Sequence, residues 1–114
     1  MLVNTYPVEN SVFDPQVISL MRSVTATMMA TGSKFSINLY PYFDYFYNPT
    51  GISLDFALGR SGSLLDAKLR GCRIALDKIG ANSLQIIIGE TGWPSAGGKG
   101  TFIYKKLFLN FILS

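Results

Sequence analysis

The chain has no histidine and a single cysteine among its 114 residues, and those two shortages remove much of the usual catalytic repertoire. Without histidine there is no Ser-His or Cys-His pair to activate a nucleophile, and no imidazole to ligate a metal. Cys72 has no partner for an internal disulfide. It falls on the apolar stripe of a predicted helix and reads as a small core side chain. No apolar run approaches the roughly 20 residues that a membrane-spanning helix needs. The longest, Leu107 to Leu113, is interrupted by Asn110 and reads as a core-seeking segment. The first residues lack the basic segment, apolar stretch and small-residue cleavage site of a secretory signal. No cofactor and no transmembrane segment are expected.

Acids are scarce as well, seven Asp and Glu against ten Lys and Arg, so any acid–base or nucleophilic chemistry rests on a few carboxylates. The surplus of positive charge is dispersed. Only Lys68, Arg70 and Arg73 cluster, on a predicted helix, and they read as a solvated face rather than a phosphate-binding stripe. Nucleic acid is therefore not an expected partner.

What the chain does have is apolar material, 48% of its residues, enough for a core and too much for a disordered segment. Strand-like and helix-like patterns alternate along it. Leu2 to Tyr6 is a short strand candidate. Asp14-Pro15 supplies an N-cap followed by proline at the first helical position. Val17, Leu20 or Met21, Val24 and Met28 recur at helical steps, until Gly32 ends the helix near Thr31. Phe35 to Tyr40 is a strand halted by Pro41. The second helix opens at Ser63, with Asp66 as its capping-box partner, and carries the stripe Leu65, Leu69, Cys72, Leu76 and Ile79 up to Gly80. A strand then runs from Leu84 to Ile88.

Strand-helix-strand-helix-strand order points to parallel strands with crossovers, hence an α/β fold. Periodicity leaves a doubly wound sheet and a barrel both open. The barrel is favoured because two strands bring polar or acidic residues to their C-terminal ends, Asn38 and Tyr40 from one and Glu90 from the other. A complete (β/α)8 TIM barrel takes about 250 residues, so the chain is expected to supply a partial barrel of about three βα units.

Glu90 is the leading functional candidate. It follows the β-branched run Leu84-Gln85-Ile86-Ile87-Ile88-Gly89 and precedes Thr91-Gly92-Trp93-Pro94-Ser95, which holds the only tryptophan. Active sites of parallel α/β proteins gather where such strands end. The segment from Tyr40 to Ser53 is the other outlier, with six aromatic rings in what its prolines and glycine mark as an irregular loop. Such rings either close a core or stack on a flat apolar face such as that of a sugar. For Tyr40, beside Asn38 at the strand end, both readings stay open.

Three segments together resemble one family. These are Ile37-Asn38-Leu39-Tyr40-Pro41-Tyr42-Phe43, then Asn48-Pro49 with Ile52-Ser53-Leu54-Asp55-Phe56-Ala57-Leu58, then Gly89-Glu90-Thr91-Gly92-Trp93-Pro94-Ser95-Ala96-Gly97-Gly98. In this order they are similar to the plant endo-1,3-β-glucanases of glycoside hydrolase family 17. The likeness is strongest over residues 35–98, and residues 101–114 diverge. The resemblance implies a TIM barrel, a retaining mechanism on β-1,3-glucan such as callose, and an extracellular or cell-wall location. It makes Glu90 the nucleophile, places Asn38 and Tyr40 on the sugar-binding cleft, and gives Trp93 either a sugar contact or a packing role in the turn beneath the nucleophile.

One departure qualifies this. The family's acid–base glutamate lies in an Asn-Glu pair upstream of everything resembled, and no such pair exists here. Glu9 precedes Asn10 in a predicted loop, and the aspartates read as caps, helix-surface residues or neighbours of the aromatic segment. Residues 1–114 are thus expected to be a fragment of a glycoside hydrolase catalytic domain, inactive alone. A non-catalytic β-glucan-binding remnant is the alternative, and a basic α/β module is a third and weaker reading.

Overall fold

The computed structural model of the protein describes residues 2–94; the divergent stretch 101–114 and the apolar segment 107–113 lie outside them. The elements run β1 (Leu2–Val3), a 3-10 turn (Val8–Asn10), β2 (Val12–Phe13), α1 (Ile18–Thr31), β3 (Phe35–Asn38), α2 (Pro41–Tyr47), α3 (Leu54–Ala57), α4 (Leu64–Lys78) and β4 (Ile86–Glu90). This is the α/β alternation expected, with three differences.

The first strand is two residues long and pairs antiparallel with β2, Leu2 opposite Phe13 and Val3 opposite Val12. The expected extension to Tyr6 fails because Asn4 takes a left-handed φ of 54°, which turns the chain out of the strand. β2 was too short to carry an alternation signal. The parallel expectation applies instead to β3 and β4, which are neighbours in their own sheet. There the Phe35 amide donates to the Gln85 carbonyl and the Leu39 amide to that of Glu90, so both strands ascend together.

The second difference is in α1. Asp14 does cap a turn, its Oδ1 accepting from the Gln16 amide at 2.9 Å, but the helix proper begins at Ile18. Its C-terminus falls where expected, at Gly32 with φ 72°. The buried stripe follows the predicted one at Val17, Met21 and Met28, but Thr25 is buried in place of Val24, which is 41% exposed, and of the two alternatives it is Leu20 that faces out, 63% exposed. Thr25 can be buried because its hydroxyl donates back to the Met21 carbonyl at 2.7 Å, leaving no orphan polar group.

Thirdly, the aromatic segment is not an irregular loop. Pro41 opens α2 at its first position, where a missing N–H costs nothing and the fixed φ is already helical. A further short helix, α3, follows, its N-cap Ser53 accepting from the Phe56 amide at 3.1 Å. The three breakers, Pro41, Pro49 and Gly51, thus lie at a helix start or between helices.

The described residues divide into two compact units, one comprising residues up to Ile37 with Asp66–Gly89, the other Asn38–Leu65 with residues 90–94. The first is built on Phe13, Met21, Phe35, Cys72, Ala75, Leu76, Ala81 and Leu84. Leu76 and Phe13 are at most 1% exposed, and burying a side chain of that size contributes about 2 to 3 kcal/mol. α4 supplies its centre with the predicted stripe residues Cys72 and Leu76. Arg73 ties the same helix to the loop before β4, donating to the carbonyls of Leu84 and Ala81 and to Asp77, while Arg70 faces Glu9 at 3.6 Å. Two of the three clustered cations are therefore structural ties. The second unit packs Ala57, Leu58 and Trp93 with Tyr42, Tyr45, Ile52, Leu54 and Leu64. Among the described residues no helix is long and apolar enough to cross a membrane.

Candidate active site

The sequence candidates converge in the second unit. β4 ends on Glu90, and its predecessors explain the placement: a β-branched run keeps the chain extended up to Gly89, after which Thr91 to Pro94 adopt no regular structure. Across from it, β3 ends at Asn38 and the chain enters α2 through Tyr40, whose carbonyl accepts from the Phe43 amide at 3.0 Å. The strand ends and the helix start together aim one phenol at one carboxylate. The Tyr40 hydroxyl donates to Glu90 Oε2 at 2.7 Å, a short, charge-assisted bond. It holds the Tyr40 pKa above its ordinary 10.0, first through that hydrogen bond, then through desolvation and the carboxylate charge.

Glu90 is exposed, so one carboxylate oxygen is engaged by Tyr40 while the group remains accessible from solvent. A fixed, accessible carboxylate at a strand terminus can attack an electrophilic carbon or take up a proton. Asn38 is likewise exposed at its strand end.

Trp93 is placed differently. It is only 8% exposed and packs against two rings of α2, that of Tyr42 at 4.9 Å and 71° and that of Tyr45 at 5.9 Å and 32°. Its indole N–H is buried without a hydrogen-bond partner among the described residues. The tryptophan thus presents its faces to tyrosines rather than to solvent. One helix consequently grips the Glu90–Trp93 segment at both ends, by Tyr40 at the carboxylate and by Tyr42 and Tyr45 three residues on. Sequence reasoning found the carboxylate and the phenol separately. The grip went unseen because the aromatic segment read as a loop, although the proline before five closely spaced rings was a helix-start signal.

A hollow of about 180 Å³, lined by Met29, Gly32, Ser33, Lys34, Ser83, Leu84 and Gln85, lies where β3 and β4 begin. Lys34 and Gln85 precede β3 and β4, the ends that in parallel α/β folds serve stability rather than chemistry.

Comparison with known proteins identifies the family of the chain. The model of the glycosyl hydrolases family 17 matches residues 1–106. A glucan endo-1,3-beta-glucosidase of Glycine max is 34% identical over 111 residues, covering 90% of this chain and 43% of the relative. Glucan endo-1,3-beta-glucosidase GII of Hordeum vulgare is 34% identical over 110 residues, 85% of this chain and 32% of the relative. The chain therefore spans about a third to two fifths of the length of these relatives. Among solved structures, a beta-1,3-glucanase and allergen of Cryptomeria japonica pollen superposes with a TM-score of 0.86 at 29% identity, over 99% of this chain and 40% of that one. A plant beta-glucan endohydrolase at 24% identity shares the fold with a TM-score of 0.84, over 96% of this chain and 41% of its own.

Proposed function

Given that this chain belongs to the glycosyl hydrolases family 17, we propose that it carries the nucleophile-bearing part of a retaining endo-1,3-β-glucanase, built as about three βα units of a (β/α)8 barrel. Glu90 is the nucleophile. Its carboxylate oxygen bonds to the anomeric carbon as the glycosidic C–O bond breaks, and the bonding pair leaves with the departing sugar oxygen. Tyr40 orients the carboxylate by holding Oε2, so that the other oxygen attacks and Oε2 becomes the carbonyl oxygen of the ester, still accepting from Tyr40. Asn38 faces the bound sugar, and Trp93 acts through packing, holding the turn that follows Glu90 against α2.

Retention needs a second carboxyl group about 5 to 5.5 Å from the nucleophile, first to protonate the leaving oxygen and then to deprotonate the water that releases the product. We assign that role to no residue of this chain, and Asp55, an acid of the same unit, is directed at Arg60 across 3.7 Å. The substrate is β-1,3-glucan, and the setting an extracellular or cell-wall one.

The observation that carries this reading is the 2.7 Å bond from Tyr40 to Glu90 at paired strand ends. A test that does not require the partner acid is available. A laminaribioside with fluorine at its C2 position and dinitrophenolate as leaving group needs no protonation, and the fluorine slows release of the ester so that it accumulates. Incubation should add one fluorinated glycosyl group to the chain, and peptide mass spectrometry should find it on Glu90. Glu90→Gln should stay unmodified. A wild-type chain that never becomes labelled, or is labelled elsewhere, would refute the assignment.

A further inference from the structure

α2 has aromatic rings on two sides, and among the described residues one side packs against Trp93 while the other stays largely exposed. Tyr42 and Tyr45 turn to Trp93. Phe43, Phe46 and Tyr47, which share the other face by their spacing of three and four residues, are 49%, 47% and 79% exposed. Three adjacent rings this exposed are a costly surface feature, and such patches mark places where something binds.

Ring contacts connect this face to the carboxylate without a gap. The Tyr40 ring, whose hydroxyl holds Glu90, lies 5.5 Å from Phe43. Phe43 is 5.4 Å from Tyr42, Tyr42 is 5.8 Å from Phe46, and Phe46 is 5.2 Å from Tyr47. We propose that Phe46 and Tyr47 form a stacking platform for glucose residues of a β-1,3-glucan beyond those held at the cleavage point. The inference rests on the assignment of a glucan substrate to the Glu90 site.

Sugar chemistry favours this occupant. A β-glucose ring has its substituents equatorial, so both faces present C–H groups and stack on an aromatic plane, while its edge hydroxyls can bond to the Tyr47 phenol. The two rings stand at 86° to each other. A flat ribbon-like polymer would use coplanar rings, whereas a β-1,3-linked chain turns at each residue and offers successive faces in different directions. Perpendicular platforms match the second kind of chain.

The test is calorimetric titration of the full chain with a short and a long β-1,3-glucan oligosaccharide. The wild type should bind the longer one about tenfold more tightly, as expected for one or two stacking contacts. Phe46→Ser with Tyr47→Ser should abolish that preference while leaving affinity for the short oligosaccharide unchanged, and Tyr47→Phe should retain most of it. Emission from the buried Trp93 checks that α2 keeps its grip in the variants. Tyr47→Ser alone, at the most exposed of the three positions, should lose part of the preference without any change in that emission. Undiminished preference in the double variant overturns the platform while leaving the Glu90 assignment intact. A wild type that binds neither oligosaccharide removes the glucan substrate itself and the platform with it. A double variant altered only in sedimentation would show that the face serves contact between copies of the chain, which also overturns the proposal.

Discussion

A carboxylate becomes a useful nucleophile when its direction is fixed, and here that direction depends on the hydroxyl of Tyr40. Removing it with Tyr40→Phe should slow labelling of Glu90 by the fluorinated glycoside roughly tenfold, since the group then samples several orientations. The fluorescence of Trp93 should not change, because Tyr42 and Tyr45 still hold it. The same bond has a signature in titration. Glu90 raises the Tyr40 pKa, so the folded-state value lies above that of the unfolded chain. Its contribution to stability is then complete below pH 10.0 and is lost as pH rises through the raised value. In Glu90→Gln the Tyr40 resonance, followed by NMR of ring-labelled tyrosine, should titrate closer to the ordinary value. A Tyr40 titration identical in both proteins would mean the bond does not form in solution.

At the scale of elements, α4 shows how closely chain segments are fitted. A Cβ on Gly71 would lie 2.9 Å from Ser11 Oγ, in a spot where that hydroxyl is buried and has no hydrogen-bond partner among the described residues. The helix tolerates glycine there because the segment after the 3-10 turn presses against it, secured by Lys78 Nζ donating to the carbonyls of Glu9 and Ser11. Gly71→Ala should therefore destabilise by about 1 kcal/mol, overpacking outweighing the better helix propensity of alanine. With Ser11→Ala in the background the obstructing oxygen is gone, and the same substitution should stabilise by about 1 kcal/mol. Urea unfolding followed by circular dichroism would measure the cycle, and simple additivity would show that the two positions do not press on each other. α4 was legible in the sequence because it has an unbroken period and clear ends, whereas β4, expected from Leu84 to Ile88, runs over Ile86–Glu90 because an unbroken apolar run marks a strand without marking where its pairing starts and stops. α1 was legible only in part: its period admitted either Leu20 or Met21, and only packing selects Met21 and brings Thr25 inward.

For the molecule as a whole, the apolar surface that stays uncovered sets its behaviour. Tyr6, Leu20, Val24 and Ile87 are exposed at 94%, 63%, 41% and 40%, and β3 and β4 make a sheet of two strands among the described residues. Two strands alone give marginal stability and leave unpaired edges. The expressed chain should bind a hydrophobic dye and self-associate, with little dependence on salt because the attraction is apolar. Sharp cooperative melting of a monomer that binds no dye would contradict this. A net charge of only +3 offers little repulsion against such association.

Local features of the chain determined its α/β alternation, the course of α4, the strand that delivers Glu90, and the motif order shared with its family. All of these depend on neighbours a few positions apart, through spacing, caps and β-branched runs. Tertiary structure alone decided that Tyr40 and Glu90, 50 residues apart, share a proton-bearing contact, and which rings of one short helix face Trp93 and which face water. Such pairings follow from strand adjacency and helix rotation, and a periodic pattern constrains neither when both faces of a helix carry aromatic side chains.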